Sequence, residues 1–535
     1  MVTNPKKSPK LVVMVDSYPH VARRAAVLLL LIVVAACAAP RVPPAPISKA
    51  DRDELIEVFL AGYRNISERY IEPVSVKSLA LNGIDGLSSI DPALKSRVDG
   101  GVVILDYSGD RIKTLLAPST DDLIGWTRAT AVMVEAARHV SPDMAVASKE
   151  KVYEAVFDGV LSGLDLFSRY AGADEAKKNR ARRDGYGGIG IKFRVRNNRL
   201  VITATLPGTP ASNAALSVGD IITEIDDKPV TGRGKREIVS MLRGPTQSTV
   251  ALSISRAGRA APIRLTLTRA HIVPVTVTEK RESGILYFSI SSFNQDTSHS
   301  LSKKLTRARK EMGKRLKGIV LDLRGNPGGL LKQSVKVADL LLTHGDIVST
   351  RGRHLDSLHK YQAVGHDLAA GIPIVVFIDG KSASAAEIVA AALQDRNRAV
   401  LIGTSSYGKG TVQTVIRLPN DGEITLTWSR FLAPSGYPLH GLGVRPTICT
   451  SSTARSALSL VQKTLNTEAE LKATFASWRR PTLQTESTRR ALRKTCPPER
   501  HKANLEMAVA RQIFDIPTLY TKTLDLPAGM SQARQ

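Results

Sequence analysis

The sequence predicts a multidomain α/β (α+β) protein with a helical N-terminal region, a β-rich middle domain and an α/β core. Its 535 residues are too many for a single hydrophobic core. Apolar residues recur at helical spacing at first, then short strands with turn signals follow, and finally buried strands alternate with helices. The segments we expect are 1–36 (signal peptide), 37–50 (linker), 51–180 (helical region), 181–272 (β-rich domain), 273–450 (core) and 451–535 (helical extension).

The first 36 residues have the pattern of an export signal. Basic residues such as Arg23 and Arg24 precede an apolar run over residues 25–34. That run is shorter than the ~20 apolar residues that a membrane-spanning helix needs. Residues 34–37 (VAAC) resemble a lipobox, so we expect lipidation of Cys37 and a lipid anchor in the cell envelope or periplasm. Ordinary cleavage near the alanines, without lipid, is the alternative. The proline-rich segment that follows would be a stiff spacer.

The chain has three cysteines. If Cys37 carries lipid, Cys449 and Cys496 remain as a pair in an oxidising compartment. A disulfide closing this loop would contribute ~4 kcal/mol of stability in the chain-entropy model. Two free buried thiols are the alternative. Neither CxxC nor HExxH spacing occurs, so the sequence predicts no metal and no cofactor.

The net charge of +26 raises the question of nucleic-acid binding. The basic residues are dispersed, with local clusters at 177–183 and 489–494, and no helix-turn-helix or RNA-binding signature is present. Anionic lipid or an envelope polymer suits an exported basic protein better. The sequence therefore predicts no nucleic-acid partner.

The helical region begins with apolar residues at helical spacing, from Leu55 to Tyr63. Two stretches within it, residues 76–91 and 149–165, resemble each other. They are either a weak internal duplication or two helices that end on Gly and Asp. The second is followed by FSRYAG at 167–172.

The β-rich segment contains GTPA at 208–211, GDII at 219–222 and IDDKPV at 225–230, in that order. This combination resembles a PDZ domain over about 85 residues. The resemblance implies that the loop before Gly190 presents N–H groups to a terminal carboxylate, while the following strand edge pairs with the peptide. Arg243 matches an arginine that couples tail binding to the active site in some relatives; alternatively it is a surface residue. The expected substrate-binding residues are Tyr186, Gly187, Gly188, Ile189, Gly190, Ile191 and Arg243.

Ser384 lies where a buried strand, residues 373–378, turns into a helix. N–H groups and the positive end of a helix can stabilise an anion at such a turn, which suits an acylated nucleophile. Taken alone, a serine in this place is more often a plain helix cap.

Lys409 lies between Gly408 and Gly410, and apolar strands on either side predict its partial burial. An exposed lysine has a pKa of about 10.4 and is almost always protonated. Burial lowers the pKa of an amine and makes it a usable base for a serine hydroxyl.

Residues 380–414 (GKSASAAEIVAAALQDRNRAVLIGTSSYGKGTVQT) resemble the active-site stretch of the carboxyl-terminal processing peptidases, also called tail-specific proteases. Residues 322–331 (DLRGNPGGLL) and 426–444 (LTWSRFLAPSGYPLHGLGV) extend the likeness, which covers roughly 150–447. The resemblance implies a ClpP/crotonase-like core, with Ser384 as nucleophile, Lys409 as general base and Gln413 orienting the amine. The oxyanion hole would use backbone N–H groups of Ala385 and of Gly329, with Gly328 as the second choice.

The resemblance thus implies a serine endopeptidase that recognises polypeptide C-termini, with an adaptor protein or homo-oligomerisation as further partners. Resting and active arrangements are common in this family, so a separated dyad would not exclude catalysis. A Ser-His-Asp triad is a weaker alternative, because none of the ten histidines lies in a recognisable catalytic motif. The alternative from another class is a non-catalytic envelope adaptor that binds protein tails.

Overall fold

The computed structural model describes residues 48–451, 456–480, 485–500 and 503–527. The predicted export signal, Cys37 and nearly all of the predicted linker lie outside the described residues. Within the described ranges, no helix has both the length and the hydropathy to cross a membrane.

The N-terminal region is mainly helical, as the periodicity indicates. Helix α1 begins after Ser48, whose side chain accepts the N–H of Asp51. Phe59 and Phe157 meet edge to face in the shared core of these helices. A three-stranded antiparallel sheet also occurs here; the sequence analysis missed it because its strands are short and partly exposed. The elements are α1 (Lys49–Arg69), α2 (Val76–Asp85), β1 (Leu94–Asp99), β2 (Val102–Tyr107), β3 (Asp110–Leu116), α3 (Leu123–Val140), α4 (Pro142–Val146), α5 (Lys149–Ser162), β4 (Arg169–Ala171) and α6 (Ala173–Arg183).

The middle domain is a small antiparallel sheet that encloses its own apolar core. Its elements are β5 (Tyr186–Gly188), β6 (Ile191–Arg196), β7 (Arg199–Thr205), α7 (Pro210–Asn213), β8 (Ile221–Ile225), β9 (Lys228–Pro229), α8 (Lys235–Leu242), β10 (Thr249–Ser255), β11 (Ile263–Thr268) and β12 (Ala270–Ile272). The main strand order is β11-β10-β8-β7-β6, which leaves β6 at an edge. A separate pair, β5 with β12, closes the domain.

The core contains two sheets. Its elements are β13 (Val277–Glu282), β14 (Ile285–Ile290), α9 (Thr297–Met312), β15 (Gly318–Asp322), α10 (Leu331–Asp339), β16 (Asp346–Gly352), β17 (His359–Gln362), β18 (Ile374–Ile378), α11 (Ala385–Asp395), β19 (Val400–Gly403), β20 (Thr411–Arg417), β21 (Glu423–Leu432) and β22 (Ile448–Cys449). One sheet has the order β13-β14-β15-β18-β19-β22, and β17-β16-β21-β20 form the other, with β4 also pairing with β21.

Strands β15, β18 and β19 are parallel neighbours, so their carboxyl ends lie at the same edge of the sheet. Ligands and catalytic groups in α/β sheets gather at this edge. The loops that carry the NPGG segment, the predicted nucleophile Ser384 and the predicted base Lys409 all start there.

The C-terminal extension packs against the core through two separate apolar clusters. Its helices are α12 (Ala457–Asn466), α13 (Glu468–Trp478), α14 (Glu486–Lys494), α15 (Ala503–Asp515) and α16 (Pro517–Asp525). Leu460, Val509 and Ile513 share an apolar cluster with core residues such as Val375 and Val400. A disulfide joins Cys449 to Cys496, so of the two alternatives the structure contains the bonded pair. The extension is therefore continuous with the core.

Candidate active site

Ser384 stands at the start of α11 with φ 56° and ψ −115°. A non-glycine residue in such a conformation costs of order 1–3 kcal/mol, which the surrounding structure must supply. Its side chain is half-buried. The residue that the sequence predicts as nucleophile is therefore held in a strained turn, as catalytic groups often are.

Asp379 fixes the loop that carries Ser384. One of its carboxylate oxygens accepts the N–H of Lys381 at 3.0 Å and that of Ser382 at 3.1 Å. The same oxygen accepts the N–H of Gly325 at 2.9 Å, from the loop after β15. The nucleophile loop and the NPGG loop are therefore tied together through one buried carboxylate.

The NPGG loop lies directly against the nucleophile. The carbonyl of Asn326 accepts the N–H of Ala383 at 2.9 Å. A Cβ atom added to Gly328 would stand 2.9 Å from the Ser384 Cβ, so only glycine permits this approach. The Gly328 N–H already donates to Asn326 Oδ1 at 2.8 Å, which favours Gly329 over Gly328 as the predicted oxyanion donor.

Lys409 is half-buried, and its ammonium lies 4.8 Å from the ring centroid of Phe167. Burial lowers its pKa, and the charge of Arg169 acts in the same direction, whereas Asp165 and Glu387 raise it. Within the described part of the chain, no hydrogen bond joins its Nζ to the Ser384 Oγ. A separated pair of this kind does not exclude catalysis, because catalytic groups can approach each other when substrate binds.

Gln413, the predicted orienting residue, is fixed through its amide nitrogen. Its Nε2 donates to Thr411 Oγ1 at 2.8 Å and to Thr427 Oγ1 at 3.3 Å. Thr427 in turn donates to Asp165 Oδ1 at 3.1 Å. Because the nitrogen is engaged, the amide carbonyl is the end that can accept a hydrogen bond from the Lys409 amine.

The buried carboxylate of Glu387 connects the two loops that carry the predicted dyad. Its Oε2 accepts the backbone N–H groups of Ser384 at 2.7 Å and of Lys409 at 2.9 Å. Its Oε1 accepts the Gly408 N–H at 2.7 Å and the Ser406 hydroxyl at 2.5 Å. Burial raises the pKa of this carboxyl, and those four hydrogen bonds oppose the rise.

The sequence analysis gave Glu387 no role. A signal was present, because Ser384-x-x-Glu387 has capping-box spacing, in which the glutamate accepts the N–H of the capping residue. Glu387 also bonds to Ser406, Gly408 and Lys409, in the loop after β19. Those contacts depend on how β18 and β19 pair, which the spacing does not reveal.

The turn after α5 supplies a second group of residues that the sequence analysis left without a role. Asp165 accepts the N–H groups of Phe167 at 2.6 Å and Ser168 at 3.0 Å, which shapes the turn. The Phe167 ring contacts the Lys409 ammonium and meets the His440 ring edge to face. Because Asp165 and Thr427 are 262 residues apart, no local pattern could predict this contact.

The predicted tail-binding residues surround a small cavity of about 60 Å³ in the middle domain. Arg243 stacks on the Tyr186 ring at 3.8 Å, at one side of this cavity. Residues 186–188 form β5 instead of a loop, so only Ile189 and Gly190 lie in the connection to β6. Gly187 does not line this cavity, and its carbonyl accepts the N–H of Gly244 at 3.2 Å. The cavity is lined by Tyr186, Gly188, Ile189, Gly190, Ile191, Phe193, Val239, Leu242 and Arg243.

Comparison with known proteins agrees with this organisation. The profile of peptidase family S41 matches residues 284–450, and that of the PDZ domain matches residues 178–255. The carboxy-terminal-processing protease of Bartonella bacilliformis is 40% identical over 301 residues, which are 56% of this chain and 69% of that protein. A "Probable CtpA-like serine protease" of Staphylococcus aureus is 29% identical over 321 residues, which are 59% of this chain and 64% of that protein.

Among solved structures, the photosystem II D1 C-terminal processing protease is 22% identical, with a TM-score of 0.38. The match covers 75% of this chain and 92% of that one. On the family profiles and the Bartonella relative, the chain belongs to the carboxy-terminal-processing proteases, serine peptidases with a PDZ domain.

Proposed function

We propose that this peptidase works through a Ser384–Lys409 dyad and an acyl-enzyme. The neutral amine of Lys409 removes the proton of Ser384 as its Oγ attacks the scissile carbonyl carbon. The proton then passes to the leaving amine as the peptide bond breaks. Water attacks the resulting ester, its proton returns through Lys409 to Ser384, and the new carboxylate leaves.

The observation that carries the proposal is the Glu387 carboxylate, because one oxygen accepts the N–H of both Ser384 and Lys409. Burying a carboxylate is costly unless hydrogen bonds satisfy it, and here the N–H groups of both loops supply those bonds. The lowered pKa of Lys409 supports its role as a base. Gln413 orients the amine, and the N–H groups of Ala385 and Gly329 receive the oxyanion, with Gly328 as the second choice.

The PDZ domain would select the substrate by its C-terminus. An incoming tail would add a strand to the exposed edge of β6, and its last side chain would enter the cavity beside Arg243. The stacking of Arg243 on Tyr186 supports a role in signalling occupancy toward the peptidase core. Tail capture would then favour an arrangement in which the Lys409 amine contacts the Ser384 hydroxyl.

We place the protein in the cell envelope, anchored by lipid on Cys37. The support is the basic and apolar pattern of residues 1–36 and the lipobox-like residues 34–37. The disulfide between Cys449 and Cys496 suits an oxidising compartment. An adaptor protein or a second copy of the chain would be the further partner.

The test is cleavage of a flexible peptide with an apolar C-terminus, together with labelling by a serine-reactive probe. The parent protein should cleave and label, whereas Ser384→Ala and Lys409→Ala should lose both. Lys381→Ala is the matched control, because Lys381 is exposed in the same loop and should leave both unchanged. Equal labelling of the parent and Lys409→Ala would contradict the dyad, as would no labelling of either.

A further inference from the structure

Arg493, on α14 of the C-terminal extension, reaches into the core beside the base loop. Its Nη1 donates to the carbonyl of Leu442 at 2.5 Å, and its Nη2 donates to the carbonyl of Ser406 at 3.0 Å. Ser406 belongs to the base loop, residues 404–410. Leu442 belongs to the neighbouring loop, residues 439–444. One guanidinium thus holds two loops together.

Ser406 passes this contact on to the dyad. It is fully buried, and its hydroxyl donates to Glu387 Oε1. The other oxygen of Glu387 accepts the N–H groups of Ser384 and Lys409. Two residues, Ser406 and Glu387, therefore connect Arg493 to both predicted catalytic residues.

The structure makes room for the guanidinium. A Cβ atom at Gly443 would come within 3.0 Å of the Arg493 Nη1, and one at Gly408 within 3.4 Å. The planar fork of arginine can serve two carbonyls at once, which the single ammonium of lysine does less well. Burial lowers the pKa of Arg493, and the nearby Glu387 carboxylate opposes that change.

The segment that carries Arg493 is fastened to the core at several points. The indole nitrogen of Trp478 donates to the Gly443 carbonyl at 3.1 Å. After α14, the disulfide binds Cys496 to Cys449 at the end of the sheet. The carbonyl of Glu499 then accepts the N–H of Gly380, from the nucleophile loop, at 2.9 Å.

We infer that Arg493 is a positioning residue for the Ser384–Lys409 pair, and that the disulfide-bonded C-terminal extension is the brace that holds it in place. This inference rests on the proposed dyad. Arg493 lies outside residues 284–450, which the peptidase family profile matches. Because the brace contacts the base loop, it should affect kcat, whereas affinity for the substrate tail should depend on the PDZ domain.

The test compares the full-length parent protein with Arg493→Met, Arg493→Lys and Arg490→Met. Arg490 is on the same helix but is 75% exposed, so Arg490→Met is the matched control. Cleavage of the apolar-tailed peptide gives kcat and KM. Affinity for an uncleavable tail peptide and the melting temperature are measured in parallel. A Cys449→Ser/Cys496→Ser variant tests the fastening.

We expect kcat to fall about tenfold or more in Arg493→Met, with KM and tail affinity unchanged. Arg493→Lys should recover part of kcat, Arg490→Met should match the parent, and the double serine variant should lose kcat in the same direction. Parental kcat in Arg493→Met would overturn the inference, as would equal losses of kcat and tail affinity.

If Arg493→Met does not fold, Arg493→Lys decides: lower kcat at an unchanged melting temperature supports the positioning role, and parental kcat refutes it. A parent protein that cleaves nothing and takes up no probe would instead refute the proposed dyad, which is a separate result.

Discussion

At the residue scale, the Glu387 carboxylate explains how the loops that carry Ser384 and Lys409 keep a fixed position relative to each other. A charged acceptor bonded to N–H groups makes stronger hydrogen bonds than a neutral one, and burial strengthens them further. Ser384 has a strained backbone, and the bond from its N–H to Glu387 helps keep it there.

Replacing Glu387 with glutamine should therefore lower kcat by about 10–100-fold. Each charge-assisted hydrogen bond contributes about 1.5–3 kcal/mol, and an amide can accept with only one of its two ends. The measurement is kcat on the apolar-tailed peptide, with Glu57→Gln as an exposed control that should behave like the parent. Unchanged kcat in Glu387→Gln would show that the carboxylate does not position the dyad.

The activity should rise with pH as Lys409 loses its proton, because only the neutral amine can act as a base. Its pKa is lowered, so the midpoint should lie below the ordinary lysine value. Arg169 contributes to that lowering; in Arg169→Met the pKa should rise and the midpoint should move to higher pH. The measurement is the pH profile of kcat/KM, and the exposed Arg128→Met should not move it. A shift to lower pH in Arg169→Met would contradict this assignment.

At the element scale, the parallel strands β15, β18 and β19 decide where the site forms. Each strand could be predicted from its apolar run, and the residues directly after the strands were the predicted catalytic ones. Their side-by-side pairing then places the three loops at one edge. The clustering of Ser384 and Lys409 at one edge was therefore predictable from short motifs that follow recognisable strands.

The surroundings of the base could not be predicted in the same way. Strand β4 reaches the site only because it pairs with β21, which lies far along the chain. That pairing brings the Phe167 ring to Lys409 and connects Asp165 to Gln413 through Thr427. Such contacts depend on tertiary packing and leave no periodic signal in the sequence.

The connection between β5 and β6 supports a prediction for tail binding. Gly190 has φ 81°, and a Cβ there would come within 2.3 Å of Thr209. Gly190→Ala should therefore weaken tail binding and raise KM about tenfold, while kcat stays near the parental value. Gly234→Ala is the control, because a Cβ there meets nothing within 4 Å. An unchanged KM in Gly190→Ala would place tail recognition elsewhere.

At the scale of the whole molecule, the disulfide should contribute to the stability of the core and not of the PDZ domain. Removing a link across a 47-residue separation costs about 4 kcal/mol in the chain-entropy model. Calorimetry of the parent protein with and without reductant should show one transition moving to lower temperature and a second one, from the PDZ domain, unmoved. If all transitions stayed in place, the bond would have no role in stability.

The position of Arg493 after Ser384 and Lys409 in the chain has a consequence for biosynthesis. Ser384 and Lys409 leave the ribosome well before the extension does, and domains tend to fold in that order. A copy released before Arg493 is made would carry the proposed dyad without its proposed brace. We therefore expect a partly synthesised chain to cleave nearby proteins only slowly until the extension has folded onto the core.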